Sequence, residues 1–273
     1  MAIRTVLYGV NGKMGQLLSK HISHTDDFEV LFGVDREPDK IKNGFPVYQD
    51  PFEYYDNLQE NSDDHTGHHC DHHIDPRIDL LIDFSHVSNL DQLLIFAIEK
   101  NIPTVIATTG IQEQHVTQMK AASLEIPLLY APNLSLGVNI MNSILKHYTK
   151  IMDEGFDIEI IEKHHSLKRD APSGTALLLA NTINHALGDE MTLVFGRQGS
   201  ESLRTPNEIG IHSVRGGSIS GEHTVLFAGE QEILEIKHTA LSKDLFAHDA
   251  LRISRVFTHK TAGFYTVADL FRL

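Results

Sequence analysis

Ile3-Arg4-Thr5-Val6-Leu7-Tyr8-Gly9-Val10-Asn11-Gly12-Lys13-Met14-Gly15 is the stretch from which the fold can be predicted. Its first six residues are apolar or β-prone and predict a strand, and residues 16–22 have the apolar spacing of a helix. Between them, Gly9 permits a tight turn, Gly12 lets a pyrophosphate approach the backbone, and Gly15 lets the helix pack close to the sheet. An ordinary strand-to-helix turn is the alternative. We therefore expect a dinucleotide-binding loop if the following strand supports it.

The next strand supplies that support. Phe28 to Val34 is again β-prone and ends at Asp35-Arg36, 20 residues after Gly15. A carboxylate at this place can accept hydrogen bonds from the hydroxyls of the adenosine ribose, which favours NADH. Arg36 could instead meet a 2′-phosphate or stack on adenine, which favours NADPH, or it could be a solvated surface charge. Both cofactors therefore remain open.

Strands and helices alternate through the first half of the chain. Residues 78–84 and 103–110 predict strands, with a helix over 90–99 between them, so we expect parallel βαβ units. After about residue 134 the pattern changes: residues 137–152 and 176–187 predict helices, 157–162 a strand, and 192–237 several strands broken by glycine. This predicts a second, α+β domain with a mixed or antiparallel sheet. A helix over about 245–257 and a short closing segment follow.

Composition limits the classes of function. A length of 273 residues suits two domains, and 23 basic against 37 acidic residues give a net charge of −14. That charge argues against binding to nucleic acids or anionic membranes, and no apolar run reaches the roughly 20 residues of a membrane span. One cysteine, Cys70, rules out an intrachain disulfide framework. Together with the absence of a signal peptide, this predicts a cytoplasmic protein.

One segment is rich in potential metal ligands. Residues 65–73 contain five of the 18 histidines together with Cys70. Imidazole and thiolate groups bind transition metals, but the spacing fits no closed zinc motif. A solvated loop between two βαβ elements is the favoured interpretation, and no metal site is assigned.

A second constellation begins where the strand over 157–162 ends, at Glu162-Lys163-His164-His165-Ser166-Leu167-Lys168, and continues to Ala176. In an extended backbone His164 and His165 point to opposite faces, so they should not share one role. Ser173 is a candidate N-cap, which would present the backbone N–H groups of Gly174 and Thr175 to a carboxylate. Two histidines, a lysine and a helix start suit a small dianionic substrate. A polar loop with a capped helix is the alternative.

The motif Glu162-x-His164-His165-x-x-Lys168-x-Asp170-x-Pro172-Ser173-Gly174-Thr175-Ala176 resembles the signature of the 4-hydroxy-tetrahydrodipicolinate reductase family, also called dihydrodipicolinate reductases. Other stretches agree in the family's order, namely 9–15, 107–110, 131–139 and 214–224. The resemblance implies an α/β protein with an N-terminal Rossmann domain (1–134 and 245–273). Its parallel sheet would be followed by an inserted α+β domain (135–244) with a mixed sheet that binds substrate and builds a homotetramer.

The resemblance also implies roles for individual residues in an NAD(P)H-dependent reduction within the diaminopimelate route to lysine. His164 would be the proton donor, with Lys168 assisting. The substrate carboxylates would be bound by His165, Ser173, Gly174 and Thr175. The cofactor would be held by Gly9, Val10, Asn11, Gly12, Lys13, Met14, Asp35, Arg36, Ala107, Thr108, Thr109, Ala131, Pro132, Asn133 and Leu134.

Three residues depart from the family pattern. Ala107 stands where many members have glycine, Leu134 where many have an aromatic residue, and Lys243 where an arginine is expected. An ammonium group cannot make the bidentate carboxylate contact of a guanidinium, so these changes affect the details of substrate closure. Two other functions stay open at this point. They are a Rossmann-fold redox sensor without turnover, and a metal-handling protein centred on 65–73.

Overall fold

The computed structural model describes residues 1–62, 77–152 and 155–273, and the chain divides into two compact units. Unit 1 comprises Met1–Leu134 and Ala247–Phe271, and unit 2 comprises Ser135–Phe246 with Arg272–Leu273. No helix in these described ranges is long and apolar enough to cross a membrane.

Unit 1 is built on a seven-stranded sheet in which every neighbouring pair is parallel. Its strands are β1 (Ile3–Tyr8), β2 (Phe28–Val34), β3 (Val47–Tyr48), β4 (Leu80–Asp83), β5 (Thr104–Ile106), β6 (Pro127–Tyr130) and β12 (Gly263–Tyr265). Its helices are α1 (Lys13–Ile22), α2 (Glu53–Ser62), α3 (Leu90–Glu99), α4 (Glu113–Ala122), α7 (Asp244–Phe257, in unit 1 from Ala247) and α8 (Val267–Phe271).

The strand order β12-β6-β5-β4-β1-β2-β3 reverses direction at β1, which lies between β4 and β2. In such a doubly wound sheet, ligands bind beyond the carboxyl ends of the strands at this reversal. All four residues of β4 are buried, as expected for a parallel sheet covered on both faces. The predicted Rossmann fold is therefore confirmed.

Unit 2 contains a five-stranded mixed sheet in the order β11-β10-β7-β9-β8. Strands β7 (Asp157–His164), β8 (Thr192–Phe195) and β9 (Glu208–Arg215) are parallel to one another, whereas β10 (Gly221–Ala228) is antiparallel to β7 and to β11 (Ile233–Ala240). Helices α5 (Leu136–Tyr148) and α6 (Gly174–Ala186) supply apolar side chains to the core of this unit. This confirms the α+β domain with a mixed sheet.

Strand β7 alternates strictly between its two faces, with every second residue buried. Ile158 and Ile160 face the core formed with α5 and α6. Because side chains repeat every two residues along a strand, Glu162 and His164 continue the same buried face at its carboxyl end. The fold thus buries a carboxylate and an imidazole at the end of an otherwise apolar row.

Candidate functional site

The glycine loop lies between β1 and α1, at the point where the strand order reverses. Gly9 has φ +72°, and a Cβ atom there would lie 2.7 Å from the Cα of Ser85, which follows β4. A Cβ on Gly15 would lie 2.3 Å from the carbonyl oxygen of Gly9. Both contacts are with backbone that cannot move aside, so the loop needs glycine at these two positions.

Helix α1 presents an N-terminus suited to an anion. Its N-cap is Gly12, which is exposed, makes no side-chain capping bond, and is followed by a first turn without an acidic residue. No carboxylate in the first turn therefore competes with a bound anion for the positive end of the helix dipole and its free N–H groups. A pyrophosphate fits this arrangement.

Asp35 organises the loop as well as ending β2. Its carboxylate accepts the backbone N–H of Asn11 at 2.9 Å and that of Glu37 at 3.1 Å. The exposed Arg36 lies beside it and reaches Ser88 Oγ at 3.4 Å. A cavity of about 170 Å³ adjoins these residues and is lined by Tyr8, Val34, Asp35, Arg36, Gln49, Asn89 and Gln92. It combines an apolar floor with carboxylate, guanidinium and amide groups, which suits the adenosine end of a dinucleotide.

The two remaining segments predicted to bind the cofactor follow the carboxyl ends of β5 and β6. Ala107, Thr108, Ala131 and Leu134 are buried, whereas Thr109 and Pro132 are exposed and Asn133 is half-buried. Thr108 Oγ1 donates to Asp83 Oδ2 at 2.6 Å, and the Ser85 N–H donates to the other oxygen at 2.8 Å. Burial raises the pKa of Asp83, against the lowering effect of these hydrogen bonds. Asp83 therefore anchors Thr108 to the end of β4, a role that the sequence did not indicate.

In unit 2, Glu162 forms the centre of a buried polar network and has no exposed side-chain area. Oε2 accepts from His164 Nδ1 at 2.6 Å and from one Arg215 nitrogen at 2.7 Å. Oε1 accepts from the other Arg215 nitrogen at 2.7 Å and from the Ser173 backbone N–H at 3.1 Å. Burial favours a raised pKa, but hydrogen bonds from Arg215, Ser213 and His164 lower the pKa of Glu162 to about 2. Glu162 is consequently a carboxylate near neutral pH.

His164 ends β7 and is 9% exposed. Burial lowers its pKa below 6.5, and the charges of Lys168 and Arg215 act in the same direction, while Glu162 opposes them. The His223 ring packs edge-on against it, with ring centres 5.2 Å apart. Burial lowers the pKa of His223 to about 4, so this second imidazole is neutral near neutral pH.

Helix α6 begins beside this network. Ser173 Oγ accepts the Ala176 backbone N–H at 3.1 Å, which confirms the predicted N-cap, and lies 2.8 Å from His223 Nε2. Gly174, the first residue of the helix, is exposed, and the first turn contains no acidic residue. The start of α6 can therefore receive a carboxylate, with the Ser173 hydroxyl holding the helix end.

The loop between β7 and α6 carries the remaining predicted residues. Lys168 donates its backbone N–H to the His165 carbonyl at 3.1 Å, and its ammonium group lies 2.8 Å from both oxygens of Asp170. His165 is half-buried. Lys243, the departure noted in the sequence, is exposed just before α7. The Lys168 ammonium is paired with the exposed Asp170 carboxylate, which it can exchange for a substrate carboxylate.

Glu162 belongs to the 162–176 motif, and Arg215 and His223 lie in the stretch 214–224, but none of the three was predicted to have a role of its own. The signal available for Glu162 was its spacing of two residues from His164, which places both on one face of a strand. Arg215 lies 53 residues from Glu162, and only the pairing of β7 with β9 brings them together.

Within the described residues, no group of three or more His, Cys, Asp or Glu side chains could hold a metal ion. The histidine-rich segment 65–73, on which the metal-handling alternative depends, lies outside those residues.

Comparison with known proteins agrees with this geometry. Residues 3–134 match the family "Dihydrodipicolinate reductase, N-terminus", and residues 137–271 match "Dihydrodipicolinate reductase, C-terminus". The chain belongs to the dihydrodipicolinate reductase family. This confirms the resemblance drawn from the 162–176 motif.

Relatives within the dihydrodipicolinate reductase family match nearly the whole chain. The 4-hydroxy-tetrahydrodipicolinate reductase of Caldanaerobacter subterraneus subsp. tengcongensis is 42% identical, over 99% of this chain and 98% of its own. The enzyme of the same name from Clostridium tetani is 40% identical, over 98% and 96%. Among solved structures, the dipicolinate-bound dihydrodipicolinate reductase from Paenisporosarcina sp. TG-14 has a TM-score of 0.74, with 20% identity over 98% of this chain and 99% of that one. This last likeness concerns the fold.

Proposed function

We propose that this protein reduces 4-hydroxy-tetrahydrodipicolinate, by way of dihydrodipicolinate, to tetrahydrodipicolinate in the diaminopimelate route to lysine. The observation that carries the proposal is the buried Glu162–His164 pair beside the start of α6, in a chain that the two family models match over residues 3–134 and 137–271. That arrangement places a proton-transferring group next to an anion-binding helix start, as reduction of a cyclic dicarboxylate requires.

The cofactor is NADH, NADPH or both, and the glycine loop fits it. Gly9–Met14 and the N-terminus of α1 would hold the pyrophosphate, Asp35 and Arg36 the adenosine, and residues 107–109 and 131–134 the nicotinamide side. When bound, the reduced nicotinamide supplies a hydride to the substrate ring. The residues of unit 1 bind and orient; none of them needs to donate a proton.

His164 would deliver the proton that balances the hydride. Hydride arrival leaves negative charge on the conjugated ring, and an imidazolium can quench it by donating from Nε2, since Nδ1 is occupied by Glu162. Lys168 would assist as a second cation after leaving Asp170 for the substrate. His165, Gly174 and Thr175 would bind the carboxylates, and Ser173 would keep the helix start in place. The carboxylate-bearing ligand of the Paenisporosarcina structure is consistent with this substrate class.

We also propose a homotetramer built on the sheet of unit 2. The sheet face opposite α5 and α6 exposes Val214 and Ile233, with 43% and 65% of their surfaces accessible. The two residues lie at opposite ends of this face and form no continuous apolar patch, so the proposal rests mainly on the family resemblance. Sedimentation or light scattering would test the assembly, and a monomer at micromolar concentration would contradict it.

The single cysteine favours a reducing, cytoplasmic location.

The central test replaces His164 with Gln and follows the loss of nicotinamide absorbance, with substrate generated in situ from pyruvate and aspartate semialdehyde. We expect turnover to fall by roughly 10²–10⁴-fold, the range of general acid–base catalysis. His212→Gln is the matched control, because His212 also contacts a β7 glutamate at 2.6 Å but on the opposite face of the sheet. Since that face is the proposed subunit interface, the two variants are compared at equal oligomeric state. Equal losses in both variants would contradict the proposed role of His164. A wild-type protein that binds NAD(P)H without consuming it would instead support a redox sensor.

A further inference from the structure

We propose that Glu162 is a positioning residue that fixes which nitrogen of His164 carries the proton and ties that imidazole to the start of α6. This inference rests on the proposed function, since it concerns the group that would protonate the substrate. It assigns a role to a side chain whose hydrogen bonds go to His164, Arg215 and the Ser173 backbone.

The first half of the inference follows from hydrogen-bonding capacity. A carboxylate only accepts hydrogen bonds, so the 2.6 Å contact requires His164 Nδ1 to be the donor. In the neutral ring the proton therefore resides on Nδ1, and Nε2 holds a lone pair. When the ring takes up a second proton, that proton can only be on Nε2. The proton available for transfer is thus always on the nitrogen turned away from Glu162.

The surroundings of Nε2 are compatible with transfer. A Cβ atom on Gly221 would lie 3.2 Å from this nitrogen, so the absence of a side chain there leaves room beside it. The charged or titratable groups that act on His164 are Glu162 on β7, Lys168 on the following loop, Arg215 on β9 and His223 on β10. Among these four groups, Glu162 alone favours the imidazolium. Its carboxylate therefore supports the charged acid in an environment that otherwise opposes it.

The second half of the inference concerns position. The carboxylate that receives His164 also receives the Ser173 backbone N–H, one residue before α6 begins. Arg215 holds the same carboxylate through two hydrogen bonds and donates to the Asp170 carbonyl at 2.8 Å, which fixes the loop between them. One buried group consequently sets the distance between the proton donor and the candidate carboxylate-binding helix start.

A purely structural ion pair is the competing explanation, and the chain contains one for comparison. Glu159, three residues earlier on β7, faces the other side of the sheet and contacts His212 at 2.6 Å, Arg197 at 3.2 Å and Arg204 at 3.0 Å. Like Glu162, Glu159 contacts a histidine and arginine side chains, but 17% of its own side chain is exposed. Glu159→Gln is therefore a matched control for charge removal, compared at equal oligomeric state.

Two variants separate positioning from folding. Glu162→Gln removes the charge while keeping the shape. The double variant E162L/R215M removes the acceptor together with the half-buried arginine that would otherwise lose its carboxylate partner, a replacement that ion pairs often tolerate. For each folded variant we would measure the tautomer of His164 by ¹⁵N NMR in the free protein and the pH dependence of kcat.

We expect the wild-type neutral ring to be protonated at Nδ1 and the E162L/R215M ring to shift toward the Nε2-protonated form. In both variants the pH at which activity declines should move to lower values, because loss of the carboxylate lowers the pKa of His164. We expect kcat to fall by about 10²–10⁴-fold. In E159Q neither the tautomer nor the pH profile should change.

An unchanged tautomer in E162L/R215M, or a wild-type pH profile in Glu162→Gln, would overturn the inference. The NMR measurement needs no substrate, so it decides the question even if the wild-type protein failed to oxidise NAD(P)H. That failure would count against the proposed reaction alone.

Discussion

Gly221→Ala tests whether the reacting atom is His164 Nε2. Gly221 is the first residue of β10, and its φ is not in the left-handed region, so alanine can adopt the same backbone. The new methyl group would lie 3.2 Å from Nε2 and 3.5 Å from Cδ2 of His164. The substitution therefore adds one methyl group beside the edge of the His164 ring that carries Nε2 and Cδ2.

The ring has little freedom to avoid this methyl group. Nδ1 is held by Glu162 at 2.6 Å, and the His223 ring packs against His164 with centres 5.2 Å apart. A shift of a few tenths of an ångström would relieve the contact at a cost of roughly 1–3 kcal/mol, partly offset by about 0.4–1 kcal/mol from the less flexible unfolded chain. We therefore expect a folded protein whose melting temperature falls by no more than several degrees.

The effect on turnover should be much larger. A methyl group beside Nε2 excludes a substrate atom from the distance at which a proton passes, so we expect kcat to fall by about 10²-fold or more. The assay is the decrease of nicotinamide absorbance at saturating cofactor. Gly216→Ala is the control, since nothing lies within 4 Å of a Cβ at that position in the preceding turn. Wild-type kcat in Gly221→Ala would refute the assignment of Nε2 as the proton-delivering atom.

Three further predictions concern other parts of the molecule. His223→Gln should flatten the acid dependence of stability. In the wild-type protein the pKa of His223 is lowered to about 4, so the unfolded chain binds the proton first and stability is lost as pH falls from about 6.5 to 4. The loss is up to about 3 kcal/mol, and urea unfolding across that pH range would measure it in both proteins. Thr108→Val should remove one hydrogen bond to Asp83 and lower the free energy of unfolding by about 1–3 kcal/mol. It should also raise the KM for NADH more than it changes kcat, and an unchanged KM would argue against an anchoring role. If the Arg36 guanidinium meets the 2′-phosphate, Arg36→Ala should lower the affinity for NADPH at least tenfold more than the affinity for NADH. Binding titrations that show equal losses of affinity for the two cofactors would place Arg36 outside phosphate recognition.

Local sequence was sufficient to predict the fold class, although β3, α2, α4 and β6 were not among the predicted elements. Alternating β-prone and helical segments predicted parallel βαβ units, because a parallel connection needs a crossover helix. The glycine spacing predicted the loop after β1, since a Cβ at Gly9 or Gly15 would collide with backbone. Ser173 was identified as an N-cap because its hydroxyl can accept the N–H three residues later. Helix α6 therefore begins at Gly174, two residues before the apolar pattern suggested.

The partners of His164 could not be predicted in the same way. Residue spacing alone puts Glu162 and His164 on one face of a strand, but it does not say which strands lie beside β7. The pairing of β7 with both β9 and β10 brings Arg215 and His223 to this pair. Arg215 is 53 residues from Glu162 in the sequence, and His223 is 50 residues from Ser173, its hydrogen-bond partner. The same holds for Asp83 and Thr108, joined by neighbouring strands β4 and β5.

The chain's own sequence thus determined its elements, its glycine loop and the residue types available for chemistry, since these depend on backbone sterics and on the periodicity of apolar side chains. Only the tertiary structure decided the environment of those residues. Strand order and register are fixed by packing summed over a whole sheet, and they alone place a half-buried arginine and a buried carboxylate around one imidazole.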